Sequence, residues 1–173
     1  MTLYWRNLTW LWLSALVISL DAVSKWFASH FLTYGEPVFI TPFFNLTLLH
    51  NHGAAFSFLA DQSGWQRWGF AVLAIGVSLG LMFWLLRLAP ERNPRYHAWL
   101  KVALALVIGG ALGNLSDRLS LGFVVDFLDF HWGGYHWPAF NLADSAITLG
   151  VGLLLIAEIW LSPTQRRPAE KQS

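Results

Sequence analysis

The chain has 173 residues, 55% of them hydrophobic and only 12% charged, with a net charge of +1. A soluble domain averages about 25% charged residues, so a surface wetted all round is excluded and much of this chain faces lipid. The small net charge implies no nucleic-acid footprint, and the lack of cysteine excludes disulfides, thiolate metal sites and cysteine nucleophiles.

A helix that crosses a bilayer needs about 20 mostly apolar residues. Four segments qualify, in chain order 8–27, 68–88, 99–115 and 140–161. Tryptophan gathers at membrane interfaces, where its ring is apolar and its N–H stays wet. Trp10, Trp12, Trp26, Trp68, Trp84, Trp99 and Trp160 fall near the ends of these spans. The first span resembles a leader in having Arg6, an apolar run and the small stretch Ala22-Val23-Ser24. Asp21 and Lys25 flank that stretch, however, and the charge pattern needs this span, so it reads as retained.

Short loops rich in Lys and Arg stay on the cytoplasmic side. Arg6, Arg87, Arg92, Arg95, Lys101, Arg166, Arg167 and Lys171 share one side of a four-span topology. Both termini are therefore expected inside, and two segments outside, at about 28–67 and 117–139. In the first outer segment Pro37 and Pro42 disfavour helix, while 38–40 and 44–48 have strand chemistry. A small sheet at the membrane surface is expected over about 30–64. Residues 55–59 either continue it or form a short helix. The polar tail 162–173 is expected to be flexible, leaving one membrane domain over 1–161.

Ionisable groups beside spans are few and usually functional. Asp21 and Lys25 form an i, i+4 pair in the outer part of the first helix. This reads either as a self-neutralising structural pair or as a substrate contact. Gly109 and Gly113 give the third helix a small face for close packing. Asn114, Asp117 and Arg118 follow at its outer end. They suit helix capping with an Asp117–Arg118 pair, or side-chain hydrogen bonds to a peptide backbone. Asp126 sits among apolar residues in the second outer segment, and Asp144 begins the fourth helix behind Trp137-Pro138. Alone, these are a surface acid and a helix cap. Together they can do acid–base work, because two carboxylates sharing a site hold one proton between them.

Other catalytic sets are poorly supplied. The chain has no HExxH and no GxSxG motif. His50 and His52 could share a strand face for zinc, but they read as polar residues of the outer sheet. His131 and His136 flank a Gly133-Gly134 turn and read as loop residues.

Five blocks, in order, resemble bacterial lipoprotein signal peptidase, the signal peptidase II family. They are Asp21-Ala22-Val23-Ser24-Lys25, Asn51-His52-Gly53-Ala54-Ala55-Phe56-Ser57, the run 109–118, Val125-Asp126-Phe127, and Phe140-Asn141-Leu142-Ala143-Asp144-Ser145. The resemblance implies an α-helical polytopic membrane protein with four transmembrane helices, a periplasmic β-cradle and a periplasmic loop over the site. It implies a metal-independent aspartyl peptidase, without cofactor, that cuts prolipoproteins before a diacylglyceryl-modified cysteine. Asp126 and Asp144 match the catalytic dyad. Asn51, Gly53, Asn114, Arg118 and Asn141 match positions that hold substrate or a globomycin-type inhibitor. Asp21 and Lys25 match a supporting pair. His52 and Ser116 depart from the family's commoner residues and do not touch the dyad.

The expected partners are the lipid-modified prolipoprotein, membrane lipids and globomycin-type inhibitors, with no nucleic acid and a monomeric state. The expected location is the bacterial inner membrane, with the site at its periplasmic face. A small transporter or proton relay using the same acids is the alternative, and it needs ionisable groups near the bilayer midplane on several helices. A non-enzymatic assembly factor that binds partners through the outer sheet is a third reading.

Overall fold

Apolar runs with few charges become helices because a bilayer leaves each peptide group no partner but its own chain. The structure, a computed structural model, describes residues 2–53, 65–89 and 93–161. Within these residues four helices are long and apolar enough to cross a membrane: Trp5–Phe31, Arg67–Arg87, Pro94–Ser120 and Leu142–Leu161. The first is a 3-10 helix, Trp5–Trp10, running into α1, Leu11–Phe31. The others are α2 (Trp65–Arg87), α3 (Pro94–Ser120) and α4 (Leu142–Ile156), which ends in a π-helical turn over Ala157–Leu161.

Pro94 occupies the first turn of α3, where its missing N–H is no loss. The Asn93 side chain caps that turn by accepting from the Tyr96 amide at 3.3 Å. The Asn93 amide group also donates to the Leu161 carbonyl at 3.0 Å, tying the start of α3 to the end of α4.

Most of the apolar window of α3 is buried, whereas the other three helices leave most of theirs exposed. The third helix is thus the axis of the bundle, and the others wrap it with lipid-facing outer sides. Lipid tails are as apolar as leucine, so burying leucine gains little here, and close backbone approach decides the packing. Gly110 shows how close: a Cβ placed there would overlap the Ala143 carbonyl oxygen and lie 2.7 Å from Ile147 Cγ1 of α4. A Cβ at Gly113 would lie 2.9 Å from Asp21 Oδ2 of α1. The Ser14 hydroxyl adds a buried hydrogen bond from α1 to the Ala105 carbonyl at 2.7 Å.

At one end of the bundle lies a four-stranded antiparallel sheet: β1 (Pro37–Thr41), β2 (Phe44–Asn51), β3 (Val124–Trp132) and β4 (Tyr135–His136), in that order. The segment 55–59 and the tail 162–173 lie outside the described residues. The second outer segment holds strand β3, which carries Asp126. Its first four residues, Val124 to Phe127, are all buried. A strand buried on both faces loses the alternation that marks one in sequence. Val125 and Phe127 join Ala28 and Leu48 in one apolar cluster, which seats the sheet on the end of α1. The sheet is pinned to the approach to α4 as well, since Phe127 and Leu128 both donate to the Phe140 carbonyl, at 3.1 and 2.9 Å.

Candidate active site

Asp126 lies on β3, opposite Leu49 of β2, and only 2% of it is exposed. Asp144 lies in the first turn of α4 and is partly buried. The helix cap is not Asp144, as the sequence implied, but Asn141. Its side-chain oxygen accepts from the Asp144 amide at 2.9 Å, leaving the Asp144 carboxylate free to meet other partners.

Asn141 is fully buried, and its side chain joins the two acids' elements. Its Nδ2 donates to Asp126 Oδ1 at 2.7 Å, to the Val125 carbonyl at 3.2 Å and to Asn114 Oδ1 at 3.1 Å. Asn114 of α3 mirrors it. Its Nδ2 donates to Asp144 Oδ1 at 2.7 Å, while its Oδ1 accepts from Lys25 Nζ at 3.0 Å. An ammonium has only donors, so Lys25 fixes which way the Asn114 amide points. With the oxygen turned to Lys25, the NH2 group must face Asp144. Each acid therefore receives one amide donor from this Asn pair, and the two amides hydrogen-bond to each other.

Lys25 is held in turn. It pairs with Asp21 Oδ2 at 2.7 Å and with Asp117 Oδ2 at 3.0 Å. Asp117 therefore pairs with Lys25 of α1, in place of the neighbouring Arg118 expected from sequence. It also accepts from the Val125 amide of β3 at 3.1 Å. Asp21, 1% exposed, accepts from the Ala143 amide of α4 at 2.9 Å. One charged cluster thus ties α1, α3, β3 and α4 together directly behind the acids. The role of Asp117 was the feature least visible in sequence. Consecutive helical residues point about 100° apart, and this alone disfavours an Asp117–Arg118 pair.

Arg118 donates to the Asn114 carbonyl at 3.3 Å and lies over the Phe70 ring at 5.2 Å. It also feels the charges of Asp144, Asp126 and Asp117. Asn51, at the end of β2, hydrogen-bonds Asp126. Its side-chain oxygen accepts from the Gly53 amide at 2.8 Å. Gly53 has φ of +91°, a conformation that favours glycine. All nine residues singled out by sequence therefore fall in or beside one site. His50 and His52 stand apart from it, against Phe123. Among the described residues no group of three or more His, Cys, Asp or Glu could hold a metal.

Two acids of β3 show what the surroundings do. Burial and then the charge of Asp144 push Asp126 up to about 7, against the opposing hydrogen bonds from Asn51 and Asn141. For Asp129, burial also acts upward, but it is outweighed. Hydrogen bonds from His136 (2.7 Å) and Thr47 (2.8 Å) hold it below the usual carboxylate range. Asp129 is thus kept as a carboxylate, while Asp126 sits where it can gain or lose a proton at neutral pH.

Fold and site together define a multi-pass membrane protein carrying a coupled acid pair at one end of its helix bundle. The sequence pattern of Signal peptidase (SPase) II matches residues 13–160. The chain belongs to the signal peptidase II family. It is 54% identical to a lipoprotein signal peptidase of Acinetobacter baumannii over 165 residues, covering 95% of this chain and 90% of that one. It is 52% identical to a lipoprotein signal peptidase of Aeromonas hydrophila over 157 residues, covering 90% and 91%. A solved bacterial membrane enzyme superposes with a TM-score of 0.76 at 31% identity, covering 96% of both chains.

Proposed function

We propose that this chain is an aspartyl endopeptidase that removes signal peptides from diacylglyceryl-modified prolipoproteins, cutting just before the lipidated cysteine. The reading places it in the bacterial inner membrane, with Asp126 and Asp144 at the periplasmic interface as the catalytic dyad. Family membership supports the substrate class, and the many basic residues flanking the opposite ends of the spans support the orientation. The observation that carries the chemistry is the pair itself. Two carboxylates from different elements are each held by one amide of a buried Asn–Asn bridge.

With Asp126 near neutral pH in its proton affinity, the pair holds one proton. The charged member takes a proton from water as its oxygen attacks the scissile carbonyl carbon. The neutral member gives its proton to the carbonyl oxygen. The tetrahedral intermediate is an uncharged gem-diol, and no bond to the enzyme forms. On collapse, the acid that took the water's proton delivers one to the departing amine. The other recovers a proton from a gem-diol hydroxyl as the new carboxylic acid forms. This is general acid–base catalysis.

Asn51, Gly53, Asn114 and Arg118 then line the approach for the peptide backbone. Asn141 orients the acids, with Asp21 and Lys25 behind. The same positions would hold a globomycin-type inhibitor. A relay across the membrane fits less well. Among the described residues the buried charged side chains, Asp21, Lys25, Asp126 and Asp129, gather at the sheet end of the bundle.

The test uses purified protein in detergent with a lipidated precursor peptide and a chelator. Cleavage just before the lipidated cysteine is expected, unaffected by chelator and blocked by globomycin. Asp126→Asn and Asp144→Asn should each lower the rate at least 1,000-fold, on the order of the loss of an essential acid–base group, while the protein still folds. Full activity in either variant would sink the dyad.

A further inference from the structure

At the end of the bundle opposite the acids lies a cavity of about 390 Å3, lined by Tyr4, Arg6, Asn7, Thr9, Trp10, Leu88 and Lys101. That volume falls in the range of small-ligand sites. Among the described residues two cations, Arg6 and Lys101, line it and no acid does. They lie close enough for each to feel the other's charge. Among the described residues neither pairs with a carboxylate. Gathering like charges at the edge of an apolar bundle costs free energy that an anion between them would offset.

The wall is a built structure. The Asn7 side chain is buried and donates to the Leu85 and Leu88 carbonyls, both at 2.9 Å. The Leu85 carbonyl is in the last turn of α2, where it also accepts from the Leu88 amide at 3.3 Å, and the Leu88 carbonyl lies just past the helix end. The Tyr4 amide donates to the Leu86 carbonyl at 2.8 Å, and the Thr9 hydroxyl donates to the Arg6 carbonyl at 2.8 Å. The N-terminal 3-10 helix is thereby stitched to the end of α2, which sets Arg6 across from Lys101 of α3.

We propose that this cavity binds the phosphate of an anionic phospholipid headgroup. The shared chemistry is a phosphate anion held by guanidinium and ammonium, Arg6 and Lys101, within one lining. Its placement selects the lipid over free phosphate. Lys101 lies seven residues into α3, roughly 10 Å from its start. The exposed rings of Trp5, Trp12, Trp84 and Trp99 lie toward this same end of the bundle, as interfacial belts do. Basic pockets at the cytoplasmic ends of helices are where such headgroups bind. The inference does not rest on the peptidase reading.

The experiment is native mass spectrometry of the full chain in neutral detergent, titrated with phosphatidylglycerol, with diacylglycerol of the same acyl chains, or with inorganic phosphate. Phosphatidylglycerol should bind, and the other two should not at the same concentrations. Arg6→Gln or Lys101→Gln should weaken it about fivefold each, and the pair more than tenfold. Arg6→Lys with Lys101→Arg, which keeps both charges, should retain binding. Arg95→Gln, a basic residue of α3 outside the cavity, should leave it unchanged. Undiminished binding by the double glutamine variant overturns the assignment, as does equal loss in Arg95→Gln. Saturation by inorganic phosphate alone overturns the lipid as its source.

Discussion

Asn141 does two jobs with one side chain, and the jobs can be separated. Its oxygen caps α4, and its NH2 group stabilises the Asp126 carboxylate. Asn141→Asp keeps the cap acceptor, replaces the donor with an acceptor and adds a negative charge beside Asp126. Both changes favour the protonated form of Asp126, so its proton affinity rises above about 7. In the native protein, cleavage should fall as pH rises past about 7, because the pair loses the proton it shares. In Asn141→Asp that alkaline limb should move up by roughly one pH unit, and the unfolding temperature should fall, because a buried donor to three acceptors becomes a charge facing them. A limb that stays in place in a rate–pH series would remove Asn141 from control of the pair.

At the scale of elements, the contact between α3 and α4 sets the spacing of the site, because Asn114 rides on one and Asp144 on the other. Gly110→Leu would force Leu side-chain atoms against Ala143 and Ile147 and push the helices apart. A loss of about 1–3 kcal/mol or more is expected, read as a lower unfolding temperature in detergent. Gly76→Leu on α2 is the control: a Cβ there meets nothing within 4 Å, so stability should hold. The helices were legible because hydropathy is a local property, and β1 and β2 because Pro37 and Pro42 frame β-prone residues. Strand β3 was not, since Val124 to Phe127 are buried on both faces and show no alternation. The cap at Asn141 was hidden for a similar reason. Asp144 has equal capping chemistry, and only the turn geometry at Phe140–Leu142 decides between them.

On the scale of the molecule, the charged cluster joins α1 to the site through partners far apart in sequence. That is why sequence alone leaves Asp21 and Lys25 as either a self-neutralising pair or a substrate contact. Asp21 reaches past Lys25 to the Ala143 amide, one residue before Asp144. Asp21→Ala should loosen that turn and lower kcat by up to about 100-fold with KM within about twofold, as misplacement of a reacting group does. Asp21→Asn has one oxygen for two donors, Lys25 and the Ala143 amide, and should recover only part of the loss. Steady-state kinetics on one lipidated peptide separates this from a binding defect, which would raise KM instead.

Asp126 comes from a strand and Asp144 from the last span, and the bridge between them needs Asn114 from the span before. A chain leaving the ribosome inserts its first helices and can begin to lay down the outer sheet well before α4 enters the bilayer. Domains tend to take shape in that N-to-C order. Until the fourth helix docks, Asp126 has neither its partner acid nor the Asn141 donor, and no half-built intermediate contains the pair. Assembly order thus acts as a timing device: Asp126 and Asp144 meet across the Asn114–Asn141 bridge only once the fourth helix has joined the bundle.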